Sequence, residues 1–485
     1  MSNSSSITVT PLVIDSTFLS DSKKIIKEKI IAWEGYSRSG AVSEDDVKHI
    51  KILEKQSTEN KNSTLLNQLE LYTNTILNIL DKAESSGKED VLKNILALTN
   101  DFLLELPGQE FLDSLLKLST VDSALPYSPF LKLLDNKDFI IKALGLYNLT
   151  ILLSKASKSS EYASKIDQEV LIKVFDLLSS NEFIGNTQNI NSQFIGIQLL
   201  QELLIVKSFK QVYESSNFIT NFKSVNQLIA SSAKSANSTG LQLSYNVLLT
   251  TWILSFSGSI NKILVHNFPE LVGNLLTIAK ESIKLKIVRI SVGILKNFTA
   301  VTLSPNEQFK TVKILLFHDG LSSINTLRER KFASNGSDEE LSNDLIYLSD
   351  LLNAIVSDRL TSFDEYLTEL ENPNLLSWSS PTHKSSEFWI ENSGKFKDQS
   401  YKLVKKIFEI LSSKDYPNSK IKVILLNDLQ FLIKNIGQDL VNFINTEKNG
   451  EYKLLIMSFL DNNGGDNELK YEALKAIQLL VGHSF

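Results

Sequence analysis

The chain has 485 residues, more than one compact core absorbs, because single cores stop growing near ~250–300 residues; two domains or a repeat array follow. It contains no cysteine, which excludes disulfides, thiol nucleophiles, iron–sulfur ligation and every cysteine-containing zinc site. With 50 Lys+Arg against 56 Asp+Glu the formal charge is -6, a balance that favours solubility and argues against nucleic acid as a partner.

The amino terminus, MSNSSSITVTPLVIDSTFLSDSKK, has no basic segment leading into an apolar one. Neither a signal nor a transit peptide is read there, and a cytosolic start is expected. Within it ITVTPLVI is the one strand candidate of the chain, since alternating runs bounded by turn dipeptides do not recur. Strongly apolar helical segments begin near Phe139, Phe194, Leu241, Leu285, Ile421 and Leu469. Successive starts lie about 44–55 residues apart, apart from one interval of about three such steps; a HEAT or armadillo unit takes ~40–47 residues. The expected fold is therefore all-α, a HEAT/armadillo-like α-solenoid in two domains joined by a short hinge.

No charge occurs between Lys234 and Lys262, a length sufficient to span a bilayer. Gln242, Ser244, Asn246, Thr250 and Ser255 interrupt it, which favours a buried helix. Its apolar stripe is read as Leu241, Tyr245, Leu248, Leu249, Trp252, Ile253 and Phe256. As a core residue, Trp252 replaced by alanine would cost roughly 3–5 kcal/mol.

Further along, Ser337 with Glu340 forms a capping box. Leu341, Leu345, Leu348, Leu352 and Ile355 then make a seam for packing on a neighbouring helix. Polar VSDRLT follows, and Ser362 with Glu365 starts a new helix. A hinge at 355–361 is expected, dividing a domain of residues 1–355 from one of residues 356–485. The segment NPNLLSWSSPTHKSSEFW reads as a structured loop whose aromatic side chains dock on the core. Loops rich in Ser and Gly are read at 334–338 and 461–467.

The chemistry on offer is sparse. Neither GxGxxG nor GxxxxGK[ST] occurs, so ATP binding is not expected and no cofactor is predicted. His49, His266, His318, His383 and His483 lack metal-ligand spacing and read as surface or capping residues. His383 lies among Ser379, Ser380, Ser385 and Ser386 without a nucleophile elbow. Lys284, Lys286 and Arg289, and Lys402, Lys405 and Lys406, are interleaved with apolar positions and read as solvated faces. The chain is expected not to be an enzyme; from the residues alone it is a helical-repeat scaffold or regulator.

Several stretches carry a resemblance. Leu360 to Phe396, LTSFDEYLTELENPNLLSWSSPTHKSSEFWIENSGKF, includes Phe363, Asp364, Tyr366, Trp378, Pro381, His383, Phe388, Trp389 and Phe396. The carboxyl end, LKYEALKAIQLLVGH, includes Tyr471 and Glu472, and WEGYSRSGAVSEDD near the start includes Trp33, Ser43, Glu44 and Asp46. Together with LQLSYNVLLTTWILSF, these resemble the regulatory H-subunit family of the vacuolar-type proton-translocating ATPase (V-ATPase). Residues of roughly 49–130 and 412–420 do not match it.

The resemblance implies a non-catalytic regulator of the catalytic V1 sector, one that couples ATP hydrolysis to proton transport and inhibits hydrolysis by detached V1. It implies as partners the peripheral stalk, the rotor and catalytic-hexamer subunits and the membrane-sector a subunit. Location would be cytoplasmic, on the cytosolic face of the vacuolar membrane or other endomembranes, with membrane association only indirect through the complex. The polar, Pro-marked loop Lys414, Asp415, Tyr416, Pro417 and Asn418 is the candidate contact. The alternative is an armadillo-type adaptor binding peptides in its groove, although no Trp has Asn at the fourth following position, Trp252 being followed by Phe256.

Overall fold

The computed structural model describes residues 13–106, 109–234, 240–330, 338–358, 363–378, 380–461 and 466–482. Among the described residues every regular element is an α-helix or a short 3-10 turn, and no strand occurs. Of the strand candidate only Val13 and Ile14 are described; the Ile14 amide donates to the Tyr147 hydroxyl at 3.0 Å. The chain forms an all-α solenoid whose contacts separate two units, Met1–Leu254 and Ser255–Phe485.

In the first unit the helices Glu89–Glu105, Phe139–Ala156, Ile190–Ile205 and Leu241–Leu254 pack each on the next. The third starts at Ile190 because Asn189 caps it, its side chain accepting from the amides of Asn191 and Ser192. Phe139–Ala156 is apolar on every side because it has a neighbour on both flanks. It has 18 residues with a mean hydropathy of 1.4, enough by length and composition to cross a membrane, yet 83% of it is buried in the protein. A polar clip ties it to the helix before: Asn100 Nδ2 donates to Asn148 Oδ1 at 2.9 Å, and Asn148 Nδ2 donates to the Leu96 carbonyl at 3.1 Å.

The stripe expected on Leu241–Leu254 is not the buried face. Leu241 and Phe256 are each about half exposed and Tyr245, Leu249, Trp252 and Ile253 are half-buried, whereas Leu243, Ser244, Asn246, Val247, Thr250, Thr251 and Leu254 are buried with Leu248. Small hydroxyl residues go inside because they satisfy themselves locally. Thr250 donates to the Asn246 carbonyl at 2.9 Å and Thr251 to that of Val247 at 3.0 Å, and their small volume permits close helix packing. The cavity expected at Trp252 is correspondingly smaller than a core tryptophan would leave.

In the second unit Leu285–Ala300 packs on Glu270–Glu281 and on Glu339–Asp358. Leu341, Leu345, Leu348 and Leu352 are buried as their spacing requires. Ser337 and Ser362 lie outside the described residues, but Asp338 Oδ1 accepts from the Leu341 amide at 3.1 Å and its other oxygen accepts from Arg289. Of the lysines read as a solvated face, Lys405 pairs with Glu447 at 3.0 Å. The carboxyl end is organised by Ser419–Ile436, buried along most of its length and packed on Asn467–Gly482.

Gly273 marks a close approach. A Cβ there would lie 2.6 Å from Cε1 of His318, whose ring covers it; burial, then Lys420, lowers the His318 pKa. Gly273→Ala must displace that ring, at a cost of about 1–3 kcal/mol. A melting temperature equal to the parent's in thermal denaturation would show that the ring moves aside freely.

Candidate partner-binding site

The segment after Phe363 folds as short pieces around a ring cluster: the helix Phe363–Glu371, 3-10 turns at Pro373–Leu375 and Pro381–Lys384, and the helix Ser386–Asn392. Tyr366, Trp389 and Phe396 are wholly buried, with ring centroids 5.2 Å (Tyr366 to Trp389) and 5.7 Å (Trp389 to Phe396) apart. Phe363 meets Phe396 edge-on at 5.8 Å, with the Lys395 ammonium 4.3 Å from its ring centroid. Phe363, Tyr366 and Trp389 therefore share one core.

The remaining motif residues divide. Trp378 is half-buried, edge-on to His383 at 6.4 Å, while Asp364 and Tyr471 are exposed. Pro381 begins its 3-10 turn, where its missing N–H costs nothing. Glu472 is buried and accepts from Gln430 Nε2 at 2.6 Å and from Lys475 at 2.9 Å. At the other end of the chain, Trp33 is buried and donates to Glu54 at 2.7 Å, while Ser43 caps the helix Glu44–Glu54 through the Asp46 amide.

His383 corrects the surface reading: it is fully buried. Its Nδ1 lies 3.0 Å from Asp428, its Nε2 makes an ionic contact with Glu369 at 3.3 Å, and the Tyr366 hydroxyl donates to Asp428 at 3.0 Å. Burial by itself pushes the imidazolium pKa down; the Asp428 and Glu369 carboxylates outweigh it and raise the value to about 10. Burial and the same Asp428 raise Tyr366. Asn427 adds a hydrogen bond to the His383 carbonyl at 2.7 Å. Both ring nitrogens face carboxylates, and among the described residues no serine is bonded to them: Ser380 is bonded to Thr382, and Ser385 caps the helix Ser386–Asn392. The arrangement is a structural charge clamp. Its sequence signal is Asp428 inside the otherwise apolar run IKVILLNDLQFLI.

The loop at 414–418 leads directly into Ser419–Ile436. Lys414, Asp415, Pro417 and Asn418 are exposed, Asn418 accepting from the Lys420 amide as that helix's cap. Tyr416 is half-buried and stands on the wall of a groove of about 760 Å³, which Lys262, His266, Phe309, Lys310 and Leu375 also line. No tryptophan is among the lining residues, so the Trp–Asn ladder of peptide-reading armadillo grooves is not there. No cluster of three His, Asp or Glu side chains that could hold a metal occurs among the described residues.

Two family models describing the H subunit of the V-ATPase match the chain, one over residues 17–352 and the other over 359–485. The chain belongs to the V-ATPase H-subunit family. Similar relatives include the V-type proton ATPase H subunit of Drosophila melanogaster, 27% identical over 95% of this chain and 89% of the relative. That of Dictyostelium discoideum is 23% identical over 94% and 93%. Of the probable V-type proton ATPase H subunits of Caenorhabditis elegans, the one numbered 2 is 24% identical over 93% and 89%. The H subunit is a regulatory member of V1, not its catalytic subunit.

Proposed function

We propose that the chain is a non-catalytic regulatory subunit that couples ATP hydrolysis by V1 to proton transport and inhibits hydrolysis by V1 detached from the membrane. Family membership supports this reading, and so does the exposed loop Lys414 to Asn418, which is clamped at its end by the Asn418 cap. The domain of residues 1–355 is anchored to the peripheral stalk, and the domain of residues 356–485 bridges rotor and stator, reaching the catalytic hexamer or the a subunit. Rotation is blocked by contact rather than by chemistry. Location is the cytosolic face of endomembranes, through the complex alone.

A swing about 355–361, of which residues 359–361 lie outside the described residues, would have to release three ties that join its two sides. They are Lys313 to Glu365 at 3.2 Å, Lys420 to Asp319 at 2.9 Å and the Ser377 hydroxyl to the Leu316 carbonyl at 2.8 Å. The test adds the full chain to detached V1 lacking this subunit and follows magnesium-ATP hydrolysis. The parent should inhibit. A chain carrying Lys414→Glu, Asp415→Lys and Pro417→Ala should inhibit at least ~10-fold less potently, a loss of about 1.4 kcal/mol, with an unchanged melting temperature. Equal inhibition by the two would remove the loop from the contact.

A further inference from the structure

Four of the nine prolines follow a serine or threonine: Pro11, Pro129, Pro305 and Pro381. Proline-directed protein kinases read such a pair, because proline fits where any other residue would leave its N–H unpaired. The same kinases need a few residues of accessible, extended chain, so burial and backbone decide which pair they can use. Thr10 lies outside the described residues. Ser128 and Pro129 sit inside the helix Tyr127–Lys132, with the proline buried. Ser380 is 2% exposed and bonded to the Thr382 hydroxyl at 2.8 Å.

Ser304 differs on each count. It joins the helices Leu285–Ala300 and Pro305–Phe317 in extended backbone, with φ -155° and ψ 158°. Leu303 before it is 60% exposed, and Pro305 and Asn306 after it are exposed. The serine itself is half-buried, and its hydroxyl accepts from the Glu307 amide at 3.4 Å, a long and weak bond. The Leu303 amide donates to the Glu307 carboxylate at 3.2 Å. Both ties are local to the first turn, so releasing them leaves the rest of the fold in place. Capping explains why serine and proline stand here; accessibility sets this pair apart from the buried ones. Ser304 also stands on the wall of the groove of about 760 Å³, where Lys262 pairs with Glu307 at 3.1 Å.

We propose that Ser304 is a phosphorylation site for a proline-directed kinase. Its Oγ attacks the γ-phosphorus of magnesium-ATP held by the kinase. The new O–P bond forms as the bond to the β–γ bridging oxygen breaks, ADP leaves with that electron pair, and the hydroxyl proton passes to the kinase's base. The product sets a phosphate of nearly two negative charges beside Glu307 and so changes the charge of the groove wall. The inference does not rest on the regulatory reading above. It is tested with the full chain, a mitogen-activated protein kinase and magnesium-ATP, with the peptide of residues 301–310 as reference, and phosphate is mapped by mass spectrometry. Ser304 in the folded chain should be modified at a rate within ~10-fold of the peptide's, and Pro305→Ala should slow it at least ~10-fold. Ser128 and Ser380 in the folded chain should react at least ~100-fold more slowly, since each must first be unfolded. Ser304→Asn, which keeps a capping side chain, should leave the segment without phosphate at an unchanged melting temperature. A peptide that is no substrate, a folded chain without phosphate at Ser304, indifference to Pro305→Ala, or modification of Ser128 or Ser380 as fast as Ser304 overturns the proposal.

Discussion

Replacing His383 with alanine is expected to destabilise the carboxyl-terminal part of the chain by about 3–5 kcal/mol, the cost of breaking a buried ion pair by removing one partner. The side chain is fully buried between Asp428 and Glu369, so the alanine leaves two carboxylates facing each other in a dry site. His383→Gln keeps a donor for Asp428 but no charge, and should recover only part of the loss. The pH dependence has a definite sign. The folded pKa, about 10, lies above the ordinary ~6.5 of an unfolded histidine, so the folded state holds the proton more tightly. This contribution is fully present below about pH 6.5 and is lost as pH rises toward 10. Urea denaturation of the parent should therefore weaken between those values more steeply than that of His383→Ala. Parallel pH profiles would show that the imidazole is neutral in the fold.

Trp389→Ala carries the second large effect, about 3–5 kcal/mol. The indole is fully buried, edge-on to Tyr366 at 5.2 Å and stacked on Phe431 at 5.9 Å. Its N–H is buried without an acceptor among the described residues, so its contribution is packing, and Trp389→Phe should restore a large share. Trp252→Ala removes a half-buried ring and should cost clearly less. Circular dichroism in denaturant orders the two; equal losses would mean that the site around Trp389 collapses to fill its cavity.

The contrast between these tryptophans shows what sequence could and could not settle. The Leu341 to Leu352 seam was legible because four leucines at helical spacing bury whole side chains on one face. On Leu241–Leu254 the same rule selected the wrong face, because Thr250 and Thr251 silence their own hydroxyls on the helix backbone and then pack inward. Periodicity weighs side chains by polarity and cannot see that satisfaction. His383 looked like a loop histidine because Asp428 lies 45 residues away in sequence, and only the folded arrangement supplies both counter-charges. The polar turn at Pro417 was readable because it depends on neighbours alone; that Asn418 caps the helix after it came only with the structure. The helix Glu89–Glu105 went unread as a rung because its apolar positions alternate with Lys93, Asn94, Thr99 and Asn100, two of which are buried.

One of those two, Asn100, sets how the amino-terminal stack yields under load. Apolar helices slide past one another with little penalty, since one greasy ridge replaces the next. Slippage of Phe139–Ala156 by one turn, about 5.4 Å, would strand the Asn148 amide and the oxygen it bonds at Leu96 where no water reaches. The pair works as a tooth in a rack: it resists sliding of one helix along the other and so stiffens the stack, as a dowel stiffens two planks.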